Sequence, residues 1–280
     1  MKPQNKITVL ISVLVYLVLT PGIYTFGQAS VYRVLDAGSS EGIGFVNAGI
    51  PGKNIGTVTD ENGSFTLGFG DICDDDTLRF SMIGYESLSL SVKQLKEMPS
   101  GIVYLNSRTY DLPELKIVYP RRSEITLGVP VLSEALRSGF SDNNLGYELG
   151  IKVNARKRTK LRDINLNVGI CTYDSVTYRL NVYKLSGFDI WENILTRPVY
   201  LSFRKEEISK TITFDLREHS IIIEGETIIT LEHYRDLGEG KLLFLTQFFT
   251  GTTWHRNTKE SVWTQSPGQV GLYLKGQVLR

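Results

Sequence analysis

Gly56-Thr57-Val58-Thr59-Asp60-Glu61-Asn62-Gly63-Ser64-Phe65-Thr66-Leu67 is the stretch whose reading decides the fold. Two alternating runs flank Asp60-Glu61-Asn62-Gly63, where the glycine can take the left-handed conformation that closes a four-residue hairpin loop. Val58 and Phe65 suit a buried face beside the turn, while Thr57, Thr59 and Thr66 suit a pleated surface. Further on, Leu78-Arg79-Phe80-Ser81-Met82 alternates again and runs into Ile83-Gly84-Tyr85-Glu86. The pattern is scaffold. It holds no nucleophile, base or metal cluster.

The Gly56 to Phe65 run followed by Ile83-Gly84-Tyr85-Glu86 resembles the carboxypeptidase-regulatory-like domain, a small transthyretin-like β-sandwich common on exported proteins of Bacteroidetes-type bacteria. That family opens with a strand, continues with a proline-small-valine strand, and then carries the Thr-Asp-x-x-Gly-x-Phe hairpin and the Gly-Tyr segment. Val31 to Leu35 can supply the first strand and Ile43 to Ile50 the second. Gly44 stands where the family's proline would be, which is a departure. The resemblance covers about residues 30–118 and implies an accessory module without a reaction of its own, since such domains are attached to very different partners.

Length and composition bound the rest. A chain of 280 residues, 41% hydrophobic and 22% charged, is long enough for one large or two ordinary domains and too apolar for wholesale disorder. The net charge of +1 offers no global field for nucleic acid, and no nucleic-acid partner is expected. Lys2 and Lys6 precede a largely apolar run at 7–19, Pro21-Gly22 breaks it, and Gly27-Gln28-Ala29 offers small residues to a signal peptidase. Residues 1–29 are therefore expected to be a secretory signal peptide, leaving a mature chain with no transmembrane span, in the periplasm, outer-membrane associated or at the cell surface. The alternative is an uncleaved N-terminal anchor. Cys73 and Cys171 are the only cysteines; an exported pair can form a disulfide, and two cysteines in a large β protein can equally be small buried hydrophobes.

From Ser30 onward the chain reads as strands and turns. Leu88 to Val92, Ile102 to Leu105 and Leu115 to Val118 would complete a first sandwich over residues 30–118. Asp71, Asp74, Asp75 and Asp76 make an acidic loop whose spacing fits no calcium motif. Residues 119–145, with Pro120 and Pro130, read as a linker, with helical turns over 132–136. Residues 146–280 alternate once more, as in Tyr178, Leu180 and Val182 against Arg179, Asn181 and Tyr183. The expected fold is all-β: a transthyretin-like sandwich followed by a second antiparallel β-sandwich or jelly roll.

Searching for chemistry yields little. A zinc carboxypeptidase needs a His-x-x-Glu pair, and the residues three beyond His219, His233 and His255 are Ile222, Asp236 and Thr258. There is no Gly-x-x-x-x-Gly-Lys-Ser/Thr phosphate loop. Glu224, Glu226 and Glu232 lie around strands: a carboxylate pair for glycoside hydrolysis, usually distant in sequence, is one reading, and exposed-face glutamates are the bland one. No enzyme, cofactor or metal is expected. Two segments remain as candidate binding loops: a basic one at 152–162, including Arg156, Arg158 and Lys160, and an aromatic one with Trp254 and His255. If they share one end of the second sandwich they would suit an acidic glycan; the bland alternative is two solvated loops apart. The sequence thus points to a non-catalytic exported binding or assembly module at the bacterial envelope, with an envelope protein or glycan as partner. Carbohydrate binding through loops of the second domain is the alternative.

Overall fold

In the computed structural model of the protein, which describes residues 31–68, 71–109, 123–187 and 190–279, the turn at Asp60 hands the chain from one sheet to another. Strands β1 (Val31–Asp36), β4 (Ser64–Thr66) and β7 (Ile102–Leu105) form a three-stranded sheet in the order β4-β1-β7, with β1 and β7 parallel. Strands β2 (Asn47–Gly49), β3 (Gly56–Val58), β5 (Thr77–Ser81) and β6 (Leu88–Ser91) form an antiparallel sheet in the order β3-β2-β5-β6. The expected hairpin is therefore a corner: β3 and β4 flank the turn but pair in different sheets.

The turn chemistry explains the corner. Asp60 Oδ1 accepts from the backbone N–H of Asn62 at 2.9 Å and of Ser64 at 2.8 Å, which fixes the reversal. Gly63 takes φ +78°, and its carbonyl accepts from Val34 N at 2.8 Å, so β1 captures the exit strand. Thr59 is buried and not on a solvated surface. Its Oγ1 accepts from Val46 N at 2.9 Å and donates to Ile43 O at 3.0 Å, using hydrogen bonds that the strands leave open.

Val34, Phe65, Leu78, Phe80 and Val103 fill the space between these sheets. Strand β6 ends at Ser91, one residue earlier than expected, because Ser91 and Gln94 form a capping box for a short helix, α1 (Val92–Lys96). Val92 and Leu95 of that helix are fully buried. The expected signal peptide over residues 1–29 and the expected strand Leu115 to Val118 lie outside the described residues.

The remaining strands join in one sheet whose pairings are all antiparallel. Residues read as a linker contribute two of its strands, β8 (Glu124–Gly128) and β9 (Leu136–Phe140), with no helical turn over 132–136. Pro130 falls between the two, where it costs no ladder hydrogen bond. The spine is β10 (Glu148–Leu166). Its first half pairs with β16 (Ile222–Glu232) and β17 (Leu242–Arg256), and its second half with β15 (Ile212–Asp215) and β19 (Leu272–Val278). Beyond β16 lie β12 (Ser175–Gly187), β13 (Ile190–Asn193) and β14 (Val199–Arg204), while β11 (Val168–Cys171) and β18 (Thr264–Val270) pair with β17. Leu149, Ile151, Leu180, Val182, Ile229 and Leu231 face one side and form the larger core. The fold is all-β, as the alternation predicts. Cys73 and Cys171 are free thiols, not a disulfide.

Candidate functional site

The strands of the large sheet present a second face, opposite the core, and period-2 alternation decides which residues it carries. On β10 these are Glu148, Gly150 and Lys152; on β12, Arg179, Asn181 and Tyr183. In-register pairing sets Arg256 beside Glu148, Glu148 beside Glu232, and Glu232 beside Arg179, a row of four charges across four strands. All four are at most 7% exposed. The face is polar, yet buried.

Burial of charge is tolerable only when each group is paired and hydrogen-bonded. Arg179 meets Glu232 in a fork, Nε to Oε2 at 2.9 Å and Nη2 to Oε1 at 2.6 Å. Arg256 donates to Glu148 Oε1 from Nε at 3.0 Å and Nη2 at 2.6 Å. Asn181 Nδ2 donates to Glu232 Oε2 at 2.6 Å, Thr230 Oγ1 to Glu148 Oε2 at 2.6 Å, and Tyr183 OH to Glu148 Oε1 at 3.0 Å. Burial alone would raise the Glu232 carboxyl, but the Arg179 guanidinium beside it holds it below the usual glutamate value. Burial, and then the Glu148 carboxylate, push the Tyr183 phenol well upward.

The two small sheets close over part of this face. Arg179 Nη1 donates to the carbonyl of Phe45 at 2.7 Å, and the Phe45 ring meets Tyr234 edge-on at 4.7 Å. Glu260, in the loop after β17, accepts from Ser81 Oγ at 3.3 Å and pairs with Arg79, while its carbonyl accepts from Gly52 N at 2.9 Å. Beside these contacts a cleft of about 490 Å³ stays open between Arg79, Ser81 and Tyr85 on one side and Asn193, Lys259 and Trp263 on the other. A second concavity of about 440 Å³, over Ser175, Thr177 and Ser202, has no such buried charged floor.

Three features give the cleft its chemistry. Arg256 stacks under the Trp263 ring at 4.1 Å, and Trp254, Trp191 and Tyr183 pack with Trp263 as an aromatic cluster. Asn193 Nδ2 donates to Asn181 Oδ1 at 2.8 Å, joining the rim to the buried network. The Lys259 ammonium lies 4.0 Å over the Tyr183 ring and donates to its hydroxyl. Lys259 keeps part of its side chain open to the cleft while protein surrounds it, and that desolvation, helped by the Arg256 charge, pushes its pKa down to about 7.

Residues 33–117 match the family model of the CarboxypepD_reg-like domain. The match agrees with the resemblance read from Gly56 to Phe65 and from Ile83 to Glu86. CarboxypepD_reg-like domains are regulatory and non-catalytic, so this segment is a non-catalytic β domain. No curated protein matches the chain. The CarboxypepD_reg-like segment supplies the Arg79 and Tyr85 wall of the cleft.

The residues proposed as a binding pair of loops lie in strands. Residues 152–162 belong to β10, where Val153 and Ala155 point to the core and Lys152 and Asn154 to the exposed side. A register irregularity between Ala155 and Thr159 leaves Arg156, Lys157 and Arg158 all exposed, which gives the segment its loop-like composition. Lys160 Nζ donates to Ser220 Oγ at 3.3 Å, and Arg162 is paired with Glu124 and Asp163. Trp254 and His255 belong to β17, paired directly with Gly150 and Leu149 of β10. Trp254 is only 9% exposed, with Lys152 Nζ 5.2 Å from its ring; His255 Nε2 hydrogen-bonds Ser266 Oγ at 2.9 Å. The basic and aromatic segments thus adjoin through Lys152 and Trp254, as sheet neighbours and not as loop tips.

Glu232 is a buried partner of Arg179 and not an exposed-face glutamate. Asp74 and Asp76 of the acidic loop pair with Lys96 and Lys53. Among the described residues no group of three or more His, Cys, Asp and Glu side chains is arranged to hold a metal ion, and no helix is long and apolar enough to cross a membrane. The buried network escaped sequence reading because alternation reports which residues share a face, not what covers it. Its available signal was the coincidence of Glu148, Arg179, Asn181 and Glu232 on faces opposite apolar residues.

Proposed function

We propose that this protein is an exported, non-catalytic binding or assembly module of the bacterial cell envelope, and that it binds through the cleft between its CarboxypepD_reg-like segment and its large sheet. The observation that carries this reading is the cleft itself. Its walls come from both parts, and its floor is a buried, fully paired network that fixes side-chain geometry in advance of a ligand, which lowers the ordering cost of binding. The Lys2 and Lys6 region, the apolar run at 7–19 and Gly27-Gln28-Ala29 support export.

Carbohydrate as the ligand class is favoured by one further observation. Trp191 and Trp263 line the cleft with Asn181 and Asn193, the pairing of flat aromatic surface with amide donors and acceptors that suits sugar rings. The test is a glycan array probed with the full chain and with Trp263→Ala. Binding that falls by about tenfold or more in the variant fits one lost aromatic contact. Equal binding by both proteins removes the cleft from the function, and no glycan binding at all leaves the assembly reading, to be checked by cross-linking to envelope proteins.

A further inference from the structure

Lys259 is a cation of the cleft without a carboxylate partner among the described residues. Arg179 pairs with Glu232, Arg256 with Glu148, and Arg79 with Glu260, but among the described residues no carboxylate lies within ion-pair distance of the Lys259 ammonium. Of its donors one goes to the Tyr183 hydroxyl oxygen, a neutral acceptor whose own proton is donated to Glu148. A half-buried ammonium with donors to spare is a costly arrangement for a structural residue, because desolvation is not repaid by a counter-charge. It becomes favourable when an anion arrives.

We propose that the cleft receives an anionic ligand, a ring-bearing molecule whose carboxylate or sulfate is held by Lys259 while the ring lies against the Trp263 side. The inference rests on the cleft reading above and adds the charge class of the ligand. Charged groups face Lys259 from the elements packed around it, Glu148 of β10, Glu232 of β16, Arg256 of β17 and Glu260 beside it, and the neutral Tyr183 phenol of β12 touches it. The two buried glutamates already face their arginines, so a ligand anion supplies the missing partner.

A protonic signature follows. Burial, and then the Arg256 charge, disfavour the Lys259 ammonium and push its pKa down to about 7. An anion bound beside it raises that value, so binding takes up a proton where the free amine is neutral, and affinity declines as pH rises above about 7. The uronate carboxylate itself stays ionised throughout this range.

The test uses the full chain, isothermal titration calorimetry and three probes: a uronic-acid oligosaccharide, its carboxyl-reduced neutral counterpart, and inorganic sulfate. Titrations in buffers of different ionisation enthalpy should show close to one proton taken up per uronate at about pH 8 and little at about pH 6. This part needs no variant. Lys259→Met should weaken uronate binding by about tenfold or more, the scale of one charge-assisted hydrogen bond, and Lys259→Arg should restore binding while abolishing the proton uptake. A purely structural role would not produce that split. Equal binding of the uronate and its neutral counterpart, unchanged by Lys259→Met but lost in Trp263→Ala, overturns the anion assignment and leaves the cleft as a binding site. Sulfate alone binding as tightly as the uronate, with Trp263→Ala unaffected, overturns the ring-bearing ligand. No uronate or sulfate binding up to about 10 mM overturns the proposal outright.

Discussion

Arg179 Nη1 donates to the main-chain carbonyl of Phe45 at 2.7 Å, and Phe45 sits at φ +64°, a left-handed conformation that a non-glycine residue adopts only when its surroundings hold it there. The same guanidinium forks onto Glu232. One side chain therefore ties the buried charge row of the large sheet to the CarboxypepD_reg-like segment. Arg179→Met should destabilise the protein by about 3–5 kcal/mol, because it strands a buried carboxylate. Adding Glu232→Gln to that variant should recover part of the loss, and denaturant midpoints of the single and double variants check it.

The same pair sets an acid limit. Glu232 titrates below its unfolded value, so the folded protein binds fewer protons than the unfolded chain. The contribution is full above the ordinary glutamate pKa of about 4.3 and is lost as pH falls through the lower folded value. Wild type should lose more stability than Glu232→Gln between about pH 5 and pH 3 in thermal melts, and parallel pH profiles would contradict the assignment.

Gly63 carries the sheet-to-sheet turn at φ +78°, and a Cβ there would lie 2.3 Å from the Val34 carbonyl oxygen. Gly63→Val should cost about 2–4 kcal/mol, combining the left-handed penalty with the collision. Asp60→Ala, which removes the acceptor for Asn62 N and Ser64 N, should cost about 0.5–2 kcal/mol by the same capping logic. Chemical denaturation of the full chain measures both.

Trp254 and Trp263 should part company. Trp254 packs beneath the cluster at 9% exposure, so Trp254→Ala should lower stability by about 3–5 kcal/mol. Trp263 is more open to the cleft, and its truncation should act on binding more than on stability. Arg156→Ser and Arg158→Ser, on the exposed irregularity of β10, should change stability by less than about 0.5 kcal/mol and leave ligand binding intact. A binding loss in either arginine variant would return the function to the basic segment.

Export is checked on the mature protein. The Lys2 and Lys6 region and the small residues at 27–29 predict cleavage after Ala29, so N-terminal sequencing should begin at Ser30. A product that retains Met1 would contradict it.

The sequence by itself determined the local rules: the positive-φ glycine at 63, the alternation that fills both cores, and a resemblance carried by Thr59, Asp60, Gly63, Phe65, Gly84 and Tyr85. These are properties of neighbours in the chain, set by turn chemistry and by the pleat. It did not reveal that β3 and β4 enter different sheets, because alternation is identical whichever partner a strand pairs with. It read residues 152–162 as a loop because three exposed cations in a row look like one, although a single irregularity in a long strand produces the same string. Most of all, it read Glu232 as an exposed-face glutamate, and it set Arg179 and Asn181 opposite the apolar face without saying what covers them. Only the tertiary structure decided that a polar face is buried, since that depends on the Phe45 turn and the Glu260 loop arriving over it from distant parts of the chain. Burial turns ordinary surface charges into a paired network and, among the described residues, leaves the Lys259 ammonium on the Tyr183 hydroxyl with no carboxylate at ion-pair distance.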